Sequence, residues 1–418
     1  MGLPILPGQS IPIPPRPPAD ALKDILASLV PMAPETVDIL AAHNRVLAED
    51  VTAAVDLPPW DNSAMDGYAL RASDAAQKRL PVAFTIKAGD VPPPLPAGQA
   101  ARIMTGAPIP SGADAVVMRE DTDETDPKVV VLGTSTRPGE NVRRRGEDVA
   151  AGSVVLRAGT LLGPADVGLL AGVGRARVRV SRRPTVAILS TGDEISEVGS
   201  PPHPGRIYNS NAWMLAAAVL EAGAQPRVLG IAADTQAALE HALRDAQDAD
   251  VLLTIGGVSV GDFDFVKPAL EAVGATLDFW RVAIRPGKPL AVGTMGRTRV
   301  FGLPGNPVSS FVTFEVFVRP ALRVLAGLPG PHRRRVTATI TAPYAKKVGL
   351  THFIRVNLER VDGVVRAHPR LQQSSGALSS ISGADGLMIL EDARGNVAAG
   401  ESAEVMVLRE AWDNTRGL

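Results

Sequence analysis

Three glycine-rich strings, each directly behind an apolar, β-branched run, constrain this chain more than any other feature. They are Ser190-Thr191-Gly192-Asp193-Glu194, Gly256-Gly257-Val258-Ser259-Val260-Gly261-Asp262 and Gly302-Leu303-Pro304-Gly305-Asn306-Pro307-Val308-Ser309-Ser310. The runs before them are Thr185 to Leu189, Val251 to Ile255 and Arg299 to Phe301, and the last two strings lead into helical patterns. Strand, glycine turn and helix in succession predict a parallel sheet whose loops gather at its carboxyl edge, where open α/β sheets bind ligands. Backbone N–H groups without side-chain hindrance, together with hydroxyls and carboxylates, suit a phosphorylated ligand beside a metal ion.

The surrounding pattern supports that sheet. From Thr185 to Ala326 strand and helix alternate, ending in a helix from Pro307 that should kink near Pro320. The fold class read here is multi-domain α/β plus β, with a doubly wound, mainly parallel sheet. A chain of 418 residues is too long for one core. Residues 1–19, with Pro at 4, 7, 12, 14, 15, 17 and 18, read as a disordered tail. An amphipathic helix is expected from about Asp20 to Val30 and a second from Pro34 to Ala42. Short β runs between Pro/Gly turns over 51–145 read as a small β domain inserted into a first domain made of 20–50 and 146–180. The doubly wound domain then occupies 181–327, and 328–418 is all β by pattern, a small closed barrel.

Composition narrows the chemistry. The 43 basic and 44 acidic residues nearly cancel, so no global field draws the protein to nucleic acid or an anionic membrane, and any anion site is local. There is no cysteine, which excludes disulfides, thiolate catalysis and thiolate zinc sites and fits a reducing cytoplasm. No apolar run reaches about 18 residues without Gly, Pro or a charge, the length a spanning helix needs. The six histidines show no ligand spacing.

The loop from Gly256 to Asp262 matches neither the G-x-G-x-x-G dinucleotide fingerprint nor the Gly-Lys-Ser/Thr phosphate loop. Its paired glycines let backbone approach an anion, and Ser259 adds a hydroxyl; a plain tight turn is the bland alternative. Asp262, Asp264, Asp234 and Glu194 all follow strand ends, and hard oxygen ligands of this kind suit magnesium rather than zinc. Asp234 alone would read as the N-cap of a helix beginning at Thr235; four carboxylates at one sheet edge favour a site. Arg285-Pro286-Gly287-Lys288-Pro289 places two cations on a rigid turn, suited to a small oxyanion.

With these strings in hand the chain resembles the molybdopterin molybdenumtransferase family, which includes the E domain of gephyrin. The likeness runs from about residue 20 to 410, through Asp61 to Ala69, Met104 to Pro108, Arg145 to Asp148, Ser190 to Glu194, Gly256 to Asp264, Arg285 to Pro289 and Gly302 to Ser310. It implies a homodimer of four-domain subunits that inserts molybdenum from molybdate into adenylylated molybdopterin and releases AMP with Mg2+. It further implies that Gly256, Gly257, Ser259, Ser190, Thr191, Gly192 and Pro304 face the pterin nucleotide, and that Asp234, Asp262 and Asp264 hold metal. Glu194, Asp234 and Asp264 would serve catalysis; Arg285, Lys288, Ser309, Arg355 and Ser375 would meet molybdate or nearby anions; Asp61, Thr105 and Asp148 would close the site across the dimer. Ile255 stands where the family commonly has Ser and Arg285 where it has Lys, which removes a hydroxyl and changes hydrogen-bonding geometry. The competing functions are a non-enzymatic scaffold that retains the pocket and a magnesium enzyme acting on another phosphorylated nucleotide.

Overall fold

The computed structural model describes residues 15–257 and 265–413 and separates into two compact units, 35–180 and a second made of the N-terminal segment with 181–418.

In the unit 35–180, a six-stranded sheet has the order 115–118, 67–70, 100–103, 79–86, 129–132, 122–126. The flanking segments meet one another: Val51–Thr52 pairs with Val154–Leu156, Leu47 bridges Val180, and Pro34–Asp38 pairs with Arg177–Ser181. The second expected helix is therefore absent. Thr36 and Val37 are β-branched and the burial of Pro34–Asp38 alternates, so a strand with a distant partner prevails over the local helical pattern.

The other unit begins with α1 (Pro18–Ala27). Arg16 already bridges Val282, its N–H donating to Arg281 O at 2.7 Å, so the backbone is ordered before the expected end of the tail. Ala21 and Ile25 sink into the same core as Leu322 and Leu325, and Met32 N–H donates to Leu325 O at 2.7 Å. Apolar burial thus ties α1 to this unit rather than to the first domain that the sequence pattern assigned it.

There follow β1 (Thr185–Thr191), α2 (Ser210–Glu221), β2 (Gln225–Ala232), α3 (Gln236–Arg244), β3 (Val251–Ile255), α4 (Val266–Ala272), β4 (Ala275–Arg281), β5 (Pro289–Met295), β6 (Thr298–Leu303) and α5 (Pro307–Thr313). The sheet order is β2-β1-β3-β6-β5-β4. The first four strands are mutually parallel, and β5 and β4 add an antiparallel edge. β3 is buried along its whole length, which is why it reads as an unbroken apolar run. At the amino end Asp250 accepts from both Nη atoms of Arg182, at 2.8 and 2.6 Å, and from Thr185 N–H at 2.8 Å. The expected kink takes the form of a π-helical turn over Phe314–Val318, ahead of Pro320, which has no N–H to donate.

The C-terminal part is the expected barrel. In β7 (Arg335–Ile340), β8 (Thr351–Val361), β9 (Val364–Pro369), β10 (Gly386–Leu390) and β11 (Ser402–Val407), pairing runs β8-β9-β7-β11-β10 and returns from β10 to β8, closing five strands. Ile284–Arg285 adds in parallel to the start of β8. Barrel and α/β sheet are bound by charge at Arg333, which donates to Glu315 at 2.6 and 2.9 Å and to Glu221 at 2.9 Å through two nitrogens. Glu315 is fully buried on the π turn, with Arg319 at 3.8 Å. Removing one member of such a network leaves a buried charge uncompensated. Glu315→Ala is therefore expected to destabilise this unit by about 3–5 kcal/mol, read as a lower denaturation midpoint; an unchanged midpoint would show that the network contributes nothing.

Candidate active site

Register places the glycine strings side by side. Ser190 lies opposite both Ile231 and Ile255, and Ile255 opposite Leu303, so β1, β2, β3 and β6 end along one edge. A cavity of about 760 Å³ opens there, walled by Thr191, Gly192, Glu194, Asn209, Asn211, Asp234, Gly256, Gly257, Gly305 and Asn306, among others. Gly256 has φ +90°, and a Cβ there would stand 3.1 Å from both Thr191 O and Thr191 Oγ1. Only glycine leaves that wall as bare backbone. Gly257, at φ +64°, continues it.

Ser190 and Pro304 are buried beneath this wall rather than on it. The Ser190 hydroxyl donates to Asn209 Oδ1 at 2.8 Å, so it orients Asn209 instead of facing the cavity. Asn209 is the N-cap of α2, and its Nδ2 is buried without a partner. Asn211 Nδ2 donates to Gly305 O at 2.6 Å, tying α2 to the third glycine string. Neither asparagine is among the residues picked out from sequence. A side-chain cap before the apolar face of α2 was the signal available for Asn209.

The carboxylates gather in part. Asp234 is not the N-cap of α3; Thr235 is, its Oγ1 accepting from Ala238 N–H at 3.4 Å. Freed from that duty, Asp234 exchanges hydrogen bonds with Asp193: each carboxylate accepts from the other's backbone N–H, at 3.2 and 3.3 Å. Burial, then the charges of Asp193 and Glu194, hold the Asp234 carboxyl above the usual range. Ser259, Asp262 and Asp264 lie outside the described residues. Among the described residues, no three His, Cys, Asp or Glu side chains are grouped closely enough to hold a metal by themselves.

A second cavity, of about 500 Å³, brings together Arg285, Lys288, Ser309, Arg355 and Ser375, the five residues that the family resemblance grouped. Arg355 is only 1% exposed, and its guanidinium donates to neutral oxygens alone: Ser380 Oγ at 3.2 Å and the carbonyls of Gln372 and Ser374 at 3.3 and 3.1 Å. Burial draws it down to about 10, still charged at neutral pH. No carboxylate is on the cavity wall among the described residues. His352, paired in register with Arg285, is pushed down to about 4 by burial and then by the charges of Arg285 and Lys346, which marks the sign of the local field. The two cavities adjoin through α5 and the segment after Gln373: Ser309 and Ser375 wall the second, Asn306, Pro307 and Gly376 the first.

Asp61, Thr105 and Asp148 lie in the other unit. There, three of the motif strings knit together: Asp61 accepts from Arg145 N–H at 2.8 Å and Arg144 Nη1 at 2.7 Å, and Asp66 accepts from Thr105 N–H and Oγ1 at 2.7 and 2.8 Å. The bond from Arg145 N–H, with the Arg144 guanidinium, keeps Asp61 below its ordinary value. Asp148 N–H donates to Leu57 O at 2.9 Å.

A doubly wound α/β domain with a bare glycine edge, joined through a cavity lined by basic side chains to a five-stranded barrel, makes this a multi-domain α/β protein with a pocket at the carboxyl edge of its sheet. Three family models match in order: the MoeA N-terminal region (domain I and II) over 16–174, the probable molybdopterin binding domain over 187–324 and the MoeA C-terminal region (domain IV) over 337–408. The chain is 42% identical over 395 residues to molybdopterin molybdenumtransferase 2 of Mycobacterium tuberculosis, covering 91% of this chain and 95% of the relative. It is 39% identical over 386 residues to the molybdopterin molybdenumtransferase of Haemophilus influenzae, covering 90% and 94%. The crystal structure of the molybdopterin biosynthesis MoeA protein of Pyrococcus horikoshii superposes with a TM-score of 0.77 at 32% identity, covering 94% of this chain and 99% of that one. The chain belongs to the molybdopterin molybdenumtransferase family, transferases of molybdenum cofactor biosynthesis.

The raised Asp234 carboxyl carries a sign. An acid whose folded pKa lies above its unfolded value costs stability when ionised; the cost is full above the folded pKa, shrinks as pH falls through it and is gone below the unfolded value. Asp234→Asn is expected to raise the melting temperature at neutral pH and to match wild type in acid. A variant that melts lower at neutral pH would refute the idea that this carboxylate is held at a cost.

Proposed function

We propose that the chain inserts molybdenum from molybdate into adenylylated molybdopterin and releases AMP, with the nucleotide on the glycine edge and molybdate in the cationic cavity. The observation that carries this reading is the adjacency of two cavities of opposite character on shared elements. Phosphate oxygens suit the open backbone at Gly256 and Gly257, and a small tetrahedral oxyanion suits Arg285, Lys288 and Arg355 with the hydroxyls of Ser309 and Ser375.

Magnesium fits the donor set of the glycine edge. Asp234 sits beside Asp193 and Glu194 in an excess of negative charge that a hard cation relieves, and magnesium needs only one or two carboxylates when phosphate and water complete its shell. Asp234 would hold the ion, with Asp262 and Asp264 as further oxygen ligands. Bound there, it would neutralise pyrophosphate charge. The chain's own residues orient and exclude: Thr191 and Gly192 line the nucleotide, Glu194 positions water, and Arg355 holds the oxyanion where carbonyls already fix its donors. The dithiolene sulfurs come with the substrate, so a chain without cysteine is no obstacle.

The same reading makes the protein a cytoplasmic homodimer, with Asp61, Thr105 and Asp148 in the roles the family reading assigns them. In support, α2 turns an apolar stripe outward at Trp213, 55% exposed, and Leu220, 62% exposed, about one and three turns beyond the cavity wall at Asn209. Leu220→Asp is expected to shift the protein to monomer in sedimentation and to lower activity with it; an unaltered dimer would move the interface elsewhere.

The decisive assay supplies adenylylated molybdopterin, molybdate and magnesium and measures AMP. Release of AMP that depends on molybdate is expected, and Lys288→Ala should raise the KM for molybdate about tenfold or more, the loss of one charge-assisted bond. Failure to form AMP under conditions where a relative turns over would favour the scaffold; AMP formed without molybdate would favour a hydrolase of another nucleotide.

A further inference from the structure

Pairing of β8 with β9 ends at Val356 and Pro369, one residue short of Arg355. There the side chain of Gln373 extends the ladder: its Oε1 accepts from Arg355 N–H at 3.2 Å, and its Nε2 donates to Arg355 O and to Arg370 O, both at 2.9 Å. With the Arg370 N–H, which donates to Arg355 O at 3.0 Å, this amide fixes the strand that carries the buried cation to the segment that passes over it. That segment grips the cation in turn, through the carbonyls of Gln372 and Ser374. The next residue reaches the other cavity: Ser375 O accepts from Val308 N–H at 3.0 Å in the first turn of α5, and Gly376 and Leu378 are on the nucleotide wall.

We propose that Gln373 is a positioning residue through which the two cavities are coupled, so that a nucleoside monophosphate and a tetrahedral oxyanion bind with positive cooperativity. Residues 374–378 contribute to the walls of both cavities; Ser374, Gly376 and Leu378 are exposed, most of the segment's bonds are local turns, and its long-range ties are the Arg355 guanidinium on Ser374 O and Val308 N–H on Ser375 O. Whichever ligand binds first orders that segment, and the second does not meet the ordering cost again. Gln373 transmits the order because its side-chain amide joins the segment to both the N–H and the C=O of Arg355, beside the Arg370 N–H that donates to Arg355 O at 3.0 Å. The inference rests on the proposed function in one respect, that the Arg355 cavity takes the oxyanion.

The test is calorimetric titration of inorganic molybdate into the full chain, with and without saturating AMP and magnesium. AMP is expected to tighten molybdate binding about tenfold, and molybdate to tighten AMP by the same factor, as linkage requires. In Gln373→Ala that factor should fall towards one while the affinity for AMP alone is retained. A wild-type factor of one overturns the coupling, and this titration stands whether or not the variant folds. A variant that weakens both ligands alike and keeps the factor reduces Gln373 to general packing. Absence of molybdate binding to wild type in both titrations removes the oxyanion reading itself, a failure distinct from loss of coupling.

Discussion

Parallel pairing of β3 with both β1 and β6 is the constraint on which the rest of the site depends. Because Ile255 is in register with Ser190 on one side and Leu303 on the other, three loops distant in sequence leave the sheet at one level. Antiparallel pairing at any of these positions would send one loop to the opposite edge. The full burial of Val251 to Ile255 secures the arrangement, since strands covered on both faces have no polar side to turn outward. The Arg182–Asp250–Thr185 hydrogen bonds close the amino end of the same strands, leaving the carboxyl end as the open one.

On that edge, charge is sorted rather than mixed. Asp193, Glu194 and Asp234 stand at the tips of β1 and β2, whereas Arg285, Lys288 and Arg355 stand where the α/β sheet gives way to the barrel. Had the two sets been intermingled they would have paired, and neither would have had capacity left for a ligand. The raised Asp234 carboxyl and the lowered Arg355 guanidinium are the two sides of this separation: the first is partly and the second wholly withdrawn from water, and among the described residues no opposite side-chain charge is paired with either. Burial of such groups costs stability, which the Glu315–Arg333–Glu221 network and the large apolar core of the same unit offset elsewhere.

Legibility in the sequence followed the range of the interactions. β3 was readable to the residue because burial on both faces writes an unbroken apolar run, and the barrel strands because turns punctuate them. The segment Pro34 to Ala42 misled because its helical periodicity is local while its strand partner, Arg177–Ser181, lies far along the chain. Asp234 was readable as a carboxylate at a strand tip, but its neighbour Thr235 took the capping role, a choice between two good caps that composition does not decide. The cationic cavity was legible as residue types on the Arg285 turn. That the neutral carbonyls of Gln372 and Ser374 would clasp Arg355 was not, because it depends on where the β8–β9 ladder stops.

That stopping point has a consequence for how the protein divides its labour. A barrel strand paired along its whole length would hold Arg355 rigidly and independently of the α/β domain. Beyond Val356 the Arg370 N–H still donates to Arg355 O at 3.0 Å, but the Arg355 N–H passes to the Gln373 amide, so part of the fixation of this buried cation rests on a segment whose other end meets α5. The geometry at the cationic cavity is thereby set in part by a loop that the glycine-edge cavity also uses, so two ligands placed as proposed would have a physical reason to favour the doubly occupied state over either singly occupied one.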